Sequence, residues 1–106
     1  LDTFPFNGVT TTFEALWKNV PVLTKKGYNF NSRCGESILK NANLDFFLAS
    51  NEEEYIEKAI YLSNNIEKLE IERKKIYNEI TDTPLFNSNK FSSYLKDELL
   101  KIYKKI

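Results

Sequence analysis

Short apolar runs alternate with stretches of helical spacing along the first half of the chain. The runs at residues 1–4, 20–24 and 44–49 are typical of short buried strands. Between them, residues 9–17 and 32–41 carry apolar side chains at helical spacing. Strands and helices in this order predict a parallel sheet with right-handed crossovers, and therefore an α/β fold with about three short parallel strands.

The second half of the chain shows helical spacing only. Ser50 and Glu53 form a capping-box pattern ahead of a helix predicted at residues 51–64, and a second helix is predicted at residues 66–80. A final helix is predicted from about residue 88 to the end. Its apolar stripe is the most regular in the chain and consists of Phe91, Tyr94, Leu95, Leu99, Ile102, Tyr103 and Ile106. The face of the helix at residues 51–64 is predicted as Tyr55, Ile56, Ala59, Ile60 and Ser63.

Composition and charge exclude several classes of function. Fifteen basic and fifteen acidic residues cancel, so there is no overall positive field that would attract nucleic acid. No apolar run approaches the roughly 20 residues that cross a bilayer, so no membrane partner is predicted. Histidine is absent and Cys34 is the only cysteine, so neither a metal site nor an internal disulfide is expected. This cysteine usage fits a cytoplasmic protein.

The beginning of the chain predicts that it is part of a longer protein. The sequence contains no methionine, and Leu1 opens directly on a strand-like run. A parallel sheet is normally covered on both faces, and three short strands are few for such a sheet. The rest of the sheet is therefore expected to lie in a missing N-terminal portion.

The first junction between a strand and a helix is the best candidate for a binding site. Ligands of open parallel sheets bind where strand ends lead into helices, and Gly8 lets the backbone approach a ligand there. Three threonines follow, beside helical N–H groups that attract phosphate. Glu14 lies one turn after Thr10, where a carboxylate can accept hydrogen bonds from the hydroxyls of a ribose. The alternative is that the threonines are ordinary helix caps and Glu14 only complements the helix dipole.

A family resemblance favours the nucleotide site. Residues 1–17 resemble the donor-site signature of the O-GlcNAc transferase/SPINDLY family, and residues 20–24, 32–33, 53–55 and 84–87 match in the same order. The resemblance implies a Rossmann-like fold, the C-terminal lobe of a two-lobed GT-B glycosyltransferase. It also implies roles for individual residues, in which Thr10 and Thr11 contact the donor diphosphate, Glu14 holds the ribose, and Asn7 and Gly8 form the turn.

The resemblance further implies an enzyme that transfers a sugar from a UDP- or GDP-linked donor to a protein hydroxyl, without a metal cofactor. Residues 1–87 would belong to the donor-binding lobe, and residues 88–106 would form a helix that packs on the core or on the partner lobe. No catalytic residue is expected in this chain. In this family, the groups nearest the transferred sugar lie largely upstream of this segment or in the other lobe. Taken alone, the chain is therefore expected to be inactive.

Three departures from the family pattern leave the donor open. Val9, Thr12 and Glu14 stand where the animal enzymes have histidine, glycine and aspartate, so neither the sugar nor the base is fixed by the resemblance. Whether tetratricopeptide repeats precede this segment is also open. Two alternatives follow, a non-catalytic interaction module with a vestigial nucleotide site, and a homodimer contact through the last helix.

Several other residues have a structural interpretation. Arg33 is predicted to anchor the loop after the second strand rather than to bind phosphate, and Lys25 and Lys26 are predicted to lie in a solvated turn. Cys34 is predicted to be a small buried apolar residue. Trp17 and the stripe of the last helix are predicted to belong to the core.

Overall fold

The computed structural model describes all 106 residues and contains five α-helices and one two-stranded sheet. The helices are α1 (Thr10–Trp17), α2 (Phe30–Asn41), α3 (Glu52–Asn64), α4 (Ile66–Glu79) and α5 (Ser88–Tyr103). The strands are β1 (Thr24–Lys25) and β2 (Leu48–Ala49), and three short 3-10 turns lie at Asp45–Phe47, Ile80–Asp82 and Pro84–Phe86. The α/β class predicted from the sequence is confirmed.

The two strands pair in parallel, with Thr24 opposite Leu48 and Lys25 opposite Ala49. The crossover between them runs through α2, as the alternating pattern predicts. The N–H of Lys26 donates to the carbonyl of Ala49 at 3.0 Å and extends the pairing by one more bond. The carboxyl end of β1 therefore leads into the loop that precedes α2.

The predicted strand at residues 1–4 is not formed, so the sheet has two strands rather than about three. One backbone bond, from the N–H of Asp2 to the carbonyl of Leu23 at 2.9 Å, joins this segment to the residue before β1. It is the only backbone bond that residues 1–4 make, and a single bond does not form a ladder. Of the predicted strand at residues 20–24 only Thr24 belongs to β1, and Val20 instead donates its N–H to the carbonyl of Ala15 in α1.

Two helix starts differ from the predicted ones, and in both an asparagine forms the cap. At α2, the side-chain oxygen of Asn29 accepts the Ser32 N–H at 3.0 Å, and the Ser32 hydroxyl accepts the Asn29 N–H at 3.2 Å. This reciprocal box starts the helix two residues earlier than predicted. At α3, Asn51 rather than Ser50 caps the helix, by accepting the N–H of Glu54 at 2.8 Å.

The core lies where α1, α2, α4 and the segment around β2 meet. Its buried members are Leu16, Ile38, Leu39, Ala42, Leu44, Phe47, Leu62, Ile76 and Ile80. The predicted face of α3 is only partly correct, since Tyr55 and Ala59 are half-buried whereas Ile56 and Ile60 are exposed. Trp17 was also predicted as core, but it is 57% exposed and its ring contacts Phe86 with centroids 5.4 Å apart.

Every residue of α5 is exposed within this chain, including the whole apolar stripe. Leu95 is 46% exposed and Leu99 is 57% exposed. The helix begins at a cap in which Asn87 accepts the N–H of Lys90 at 3.0 Å, and it then extends away from the core. The prediction that this stripe belongs to the core of the chain is therefore wrong. No helix of the fold is both long enough and apolar enough to cross a membrane.

Candidate functional site

The turn ahead of α1 is held by Asn7, whose side chain is completely buried. Its Nδ2 group donates to the carbonyl of Thr3 at 2.9 Å, and its Oδ1 atom accepts the N–H of Gly35 at 3.1 Å. Its own N–H donates to the carbonyl of Asn31 at 3.1 Å. All of these partners belong to the protein, so Asn7 fixes the turn against α2.

Asp2 organises the same turn from the other side, and the sequence analysis did not identify it. Its Oδ1 atom accepts the N–H groups of Thr3 and Gly8, both at 2.8 Å, and its Oδ2 atom accepts the hydroxyl of Thr24 at 3.0 Å. Its carbonyl accepts the Tyr55 hydroxyl at 2.8 Å. The signal that was available is an aspartate six residues before the turn glycine, and this spacing alone does not indicate a hydrogen bond between them.

Gly8 is required by space rather than by an unusual backbone conformation. No glycine in the chain has a positive φ. A Cβ atom at Gly8 would lie 2.6 Å from the Oγ1 atom of Thr11 and 3.1 Å from that of Thr12. The turn therefore packs directly against the first residues of α1, as expected for a glycine that permits close approach.

The threonines at the start of α1 do not act as helix caps. The capping position is Val9, which provides no side-chain hydrogen bond. Thr12 is buried, and its hydroxyl donates to the carbonyl of Gly8 at 2.9 Å. Thr10 and Thr11 are exposed, and the N–H groups of both have no acceptor within the chain. The first turn of α1 thus presents free N–H groups and two free hydroxyls to the outside.

Glu14 lies one turn further along α1 and is exposed. It borders a groove of about 550 Å³ together with Phe13, Trp17, Lys18 and Phe86. Of the residues predicted for the site, Gly8, Thr10 and Thr11 come together at the beginning of α1, with Glu14 following on the same helix. Asn7 lies beneath them with its amide directed into the protein.

A second groove of about 630 Å³ lies beside the start of α1, between Val9, Phe13 and the outer side of α2. Arg33 borders it, but its Nε atom lies 3.4 Å from Glu36 on its own helix. Arg33 therefore pairs within α2, and not with the loop after β1 that it was predicted to anchor. Cys34 also borders this groove and is only partly buried, with its thiol directed at the carbonyl of Phe30 at 3.2 Å.

Glu36 is a nearly buried carboxylate between two cations of α2. Its Oε1 atom lies 2.7 Å from the Nζ atom of Lys40, and its Oε2 atom lies 3.4 Å from Arg33. The hydrogen bond from Lys40 is the main reason that the pKa of Glu36 is lowered, against the opposing effect of burial, and Arg33 adds to the lowering. This cluster stabilises α2, and its two cations and one carboxylate leave one net positive charge beside the groove.

The fold has a close counterpart among solved structures. A mutant of Thermobaculum terrenum O-GlcNAc transferase superposes with a TM-score of 0.88 and 30% sequence identity, over 98% of this chain and 20% of that one. The chain therefore has the architecture of part of a GT-B glycosyltransferase. The model of glycosyl transferase family 41 matches residues 1–95, and the chain belongs to this family.

Curated relatives agree with this assignment. A tomato protein (Solanum lycopersicum) described as "Probable UDP-N-acetylglucosamine--peptide N-acetylglucosaminyltransferase SPINDLY" is 38% identical over 92 residues, which is 87% of this chain and 10% of that protein. The Arabidopsis thaliana protein of the same description is 31% identical over 105 residues, or 99% of this chain and 12% of that protein. The chain thus spans about a tenth of the length of the curated relatives it matches.

Proposed function

We propose that this chain is the part of a protein O-glycosyltransferase that binds the diphosphate and the ribose of a nucleotide-sugar donor. The observation that carries the proposal is the open first turn of α1, where Thr10 and Thr11 present N–H groups and hydroxyls that no group of the chain accepts. Such a helix beginning favours an anion, because its partial positive charge and its free donors act together.

The chemistry follows from where charge develops during sugar transfer. The bond between the sugar and the diphosphate breaks, and the leaving diphosphate gains negative charge. Free N–H groups and threonine hydroxyls at the beginning of α1 stabilise that charge. Because these donors are already in place, they need not reorganise, and the free-energy barrier to sugar transfer is lowered. Glu14 accepts the ribose hydroxyls one turn away. The groups that act on the sugar and on the protein acceptor are proposed to lie outside this chain.

The donor is proposed to be UDP- or GDP-linked, and no metal cofactor is proposed. The names of the relatives describe UDP-N-acetylglucosamine as their donor, which makes UDP the first nucleotide to test. Val9, Thr12 and Glu14 differ from the animal family members, so GDP is tested beside it. The cytoplasm is the location we propose for the protein, on the basis of the single cysteine of this chain.

The test is a titration of UDP and GDP against the intact protein that contains this chain. The double variant Thr10→Ala/Thr11→Ala removes two hydroxyl donors to a charged group, so binding is expected to weaken by about 1–3 kcal/mol. Thr81→Ala serves as the matched control, because Thr81 is an exposed threonine outside α1. Binding by the wild type that the double variant leaves unchanged would contradict the proposed site.

Glu14 has its own test, because only the nucleoside part of the ligand should depend on it. Glu14→Gln is expected to weaken binding of the nucleoside diphosphate without weakening binding of inorganic pyrophosphate. Thr10→Ala/Thr11→Ala is expected to weaken both. A Glu14→Gln variant that loses both ligands equally would remove the ribose assignment while keeping the diphosphate one.

A second candidate function rests on the exposed stripe of α5. A helix with apolar residues along its whole length and no contact to cover them is typical of an interaction surface. In this alternative, the chain is a non-catalytic module and the nucleotide site is vestigial. Failure of the wild-type protein to bind either nucleotide would favour this second candidate function.

For the enzyme, we propose that residues 1–87 belong to the donor lobe and that the helix at residues 88–106 packs on the partner lobe.

A further inference from the structure

We propose that Asp2 is a positioning residue of the donor site, which holds the open turn of α1 in place and whose negative charge limits the affinity for the nucleoside diphosphate. This inference rests on the proposed function, since it concerns the same site. Asp2 itself is not expected to contact the ligand. It acts through Gly8 and through its charge.

The hydrogen bonds of Gly8 show how Asp2 holds the turn. The N–H of Gly8 donates to the Oδ1 atom of Asp2 at 2.8 Å, while its carbonyl accepts the hydroxyl of Thr12 at 2.9 Å. Both polar groups of Gly8 are therefore fixed by side chains, and its N–H is withdrawn from any ligand. The N–H groups that follow it, those of Val9 to Thr12, have no acceptor within the chain. Asp2 thus determines which donors face the site and where they lie.

Asp2 is itself tied to the sheet and to α3. Its Oδ2 atom accepts the hydroxyl of Thr24, a completely buried residue of β1, at 3.0 Å. Its N–H donates to the carbonyl of Leu23 at 2.9 Å, and its carbonyl accepts the Tyr55 hydroxyl at 2.8 Å. Asp2 therefore connects β1 and α3 to the turn at the start of α1 and holds that turn in position.

The charge of Asp2 is not neutralised by an ion pair. No lysine or arginine nitrogen lies within 4.0 Å of its carboxylate, which is held by hydroxyl and amide donors only. The negative charge is felt by its surroundings, because it is the second cause, after burial, of the raised pKa of Tyr55. A fixed negative charge behind an anion site opposes binding of diphosphate, and this favours release of the diphosphate product after transfer.

Asp2→Asn separates the two roles of the residue. Its carbonyl oxygen can still accept the N–H groups of Thr3 and Gly8, and its NH₂ group can donate to the Thr24 hydroxyl, which also accepts. The hydrogen bonds remain and the charge is lost. Asp2→Ala removes both, so the N–H of Gly8 is left without an acceptor and the turn loses its anchor.

The experiment measures binding of UDP and GDP to the intact protein at low and at high ionic strength. Asp2→Asn is expected to bind the nucleotides about three- to tenfold tighter than wild type at low salt, as for charges separated by several ångströms. The gain should shrink in about 0.5 M salt, because salt screens the charge of Asp2. Asp2→Ala is expected to bind at least about tenfold more weakly. Should Asp2→Ala fail to fold, Thr24→Val replaces it, because it removes the bond that orients the carboxylate and keeps the charge.

The outcomes distinguish this inference from the proposed function. Nucleotide binding that Asp2→Asn leaves unchanged or weakens overturns the inference and leaves the donor site intact. Equal nucleotide binding by the wild type and by Asp2→Ala, or by Thr24→Val where that variant replaces it, overturns the inference as well. Failure of the wild-type protein to bind either nucleotide overturns both.

Discussion

The Oδ1 atom of Asn7 accepts a hydrogen bond at 3.1 Å from the backbone N–H of Gly35, 28 residues further along the chain. The N–H of Asn7 also donates to the carbonyl of Asn31, so this residue contacts two backbone groups one turn apart on α2. The turn that carries the candidate site is therefore attached to the middle of a helix and not only to its neighbours in sequence.

Replacing Asn7 with alanine is expected to destabilise the chain strongly for its size. The Gly35 N–H and the Thr3 carbonyl would both lose their partner, and Gly35 is buried. Leaving a buried backbone donor unsatisfied costs about 1–3 kcal/mol, so the free energy of unfolding should fall by about that amount. Denaturant unfolding of the two proteins measures the difference.

Asn41→Ala is the matched control for this substitution. Asn41 is exposed, and its side chain donates to a carbonyl four residues earlier in α2. Its loss should change the free energy of unfolding by less than about 0.5 kcal/mol. Equal effects of the two substitutions would show that Asn7 is not a special attachment point.

Gly35 is expected to tolerate no larger residue, although it lies in the middle of a helix. A Cβ atom there would lie 2.3 Å from the Cγ2 atom of Thr24 in β1. Alanine gains about 1 kcal/mol of helix propensity, but overpacking costs about 1–3 kcal/mol, so Gly35→Ala should be destabilising overall. Thr24→Ser removes the colliding methyl group and keeps the hydroxyl, so the double variant should recover part of the loss. Additive effects in the double-mutant cycle would contradict this contact.

The sequence predicted the parallel α/β arrangement well because both of its signals are local. Apolar runs and helical spacing identify elements, and the alternation of elements restricts the topology. The positions of Gly8, Thr10 and Thr11 followed from the same local pattern.

The contacts that the sequence could not predict join residues far apart in the chain. The network of Asp2, Thr24 and Tyr55 depends on three elements meeting, and no spacing rule encodes that meeting. The first strand was predicted from its composition alone, but residues 1–4 make only one backbone bond, from Asp2 to Leu23, and this does not form a ladder. The stripe of α5 was interpreted as core for a similar reason, because amphipathic spacing indicates a covered face without indicating what covers it.

Glu36 should make the chain more sensitive to acid. Its pKa is lowered from 4.5 in the folded chain, mainly by the hydrogen bond from Lys40. A carboxylate with a lowered pKa stabilises the folded state above its ordinary pKa, and this contribution is lost as the pH falls through the folded value. Glu36→Gln should therefore lower the melting temperature by about 2–5 °C at pH 7, and the difference should vanish near pH 3.

The control for Glu36 is Glu98→Gln in α5. Glu98 also pairs with a lysine, at 2.6 Å, but both side chains are more than 60% exposed, at 63% and 64%. Exposed pairs contribute little, so the melting temperature of this variant should stay close to wild type at both pH values. A difference between Glu36→Gln and wild type that persists unchanged at pH 3 would mean that the charge of Glu36 is not the cause.

The apolar stripe of α5 should matter in the intact protein and not in this chain alone. Leu95 and Leu99 are exposed here, so Leu95→Asp/Leu99→Asp should change the free energy of unfolding of the chain by no more than about 0.5 kcal/mol for each substitution. In the solved relative, the corresponding part is accompanied by the other four-fifths of a longer chain, which can cover such a stripe. The same double variant should therefore destabilise the intact protein and lower the transferase activity that we propose for it. Ser93→Asp changes an exposed residue of α5 outside the stripe and should do neither.

An intact protein that tolerates the double variant as well as Ser93→Asp would show that the stripe is not covered there. If the wild-type chain sediments as a dimer and the double variant dissociates this dimer, the stripe is a contact between two copies.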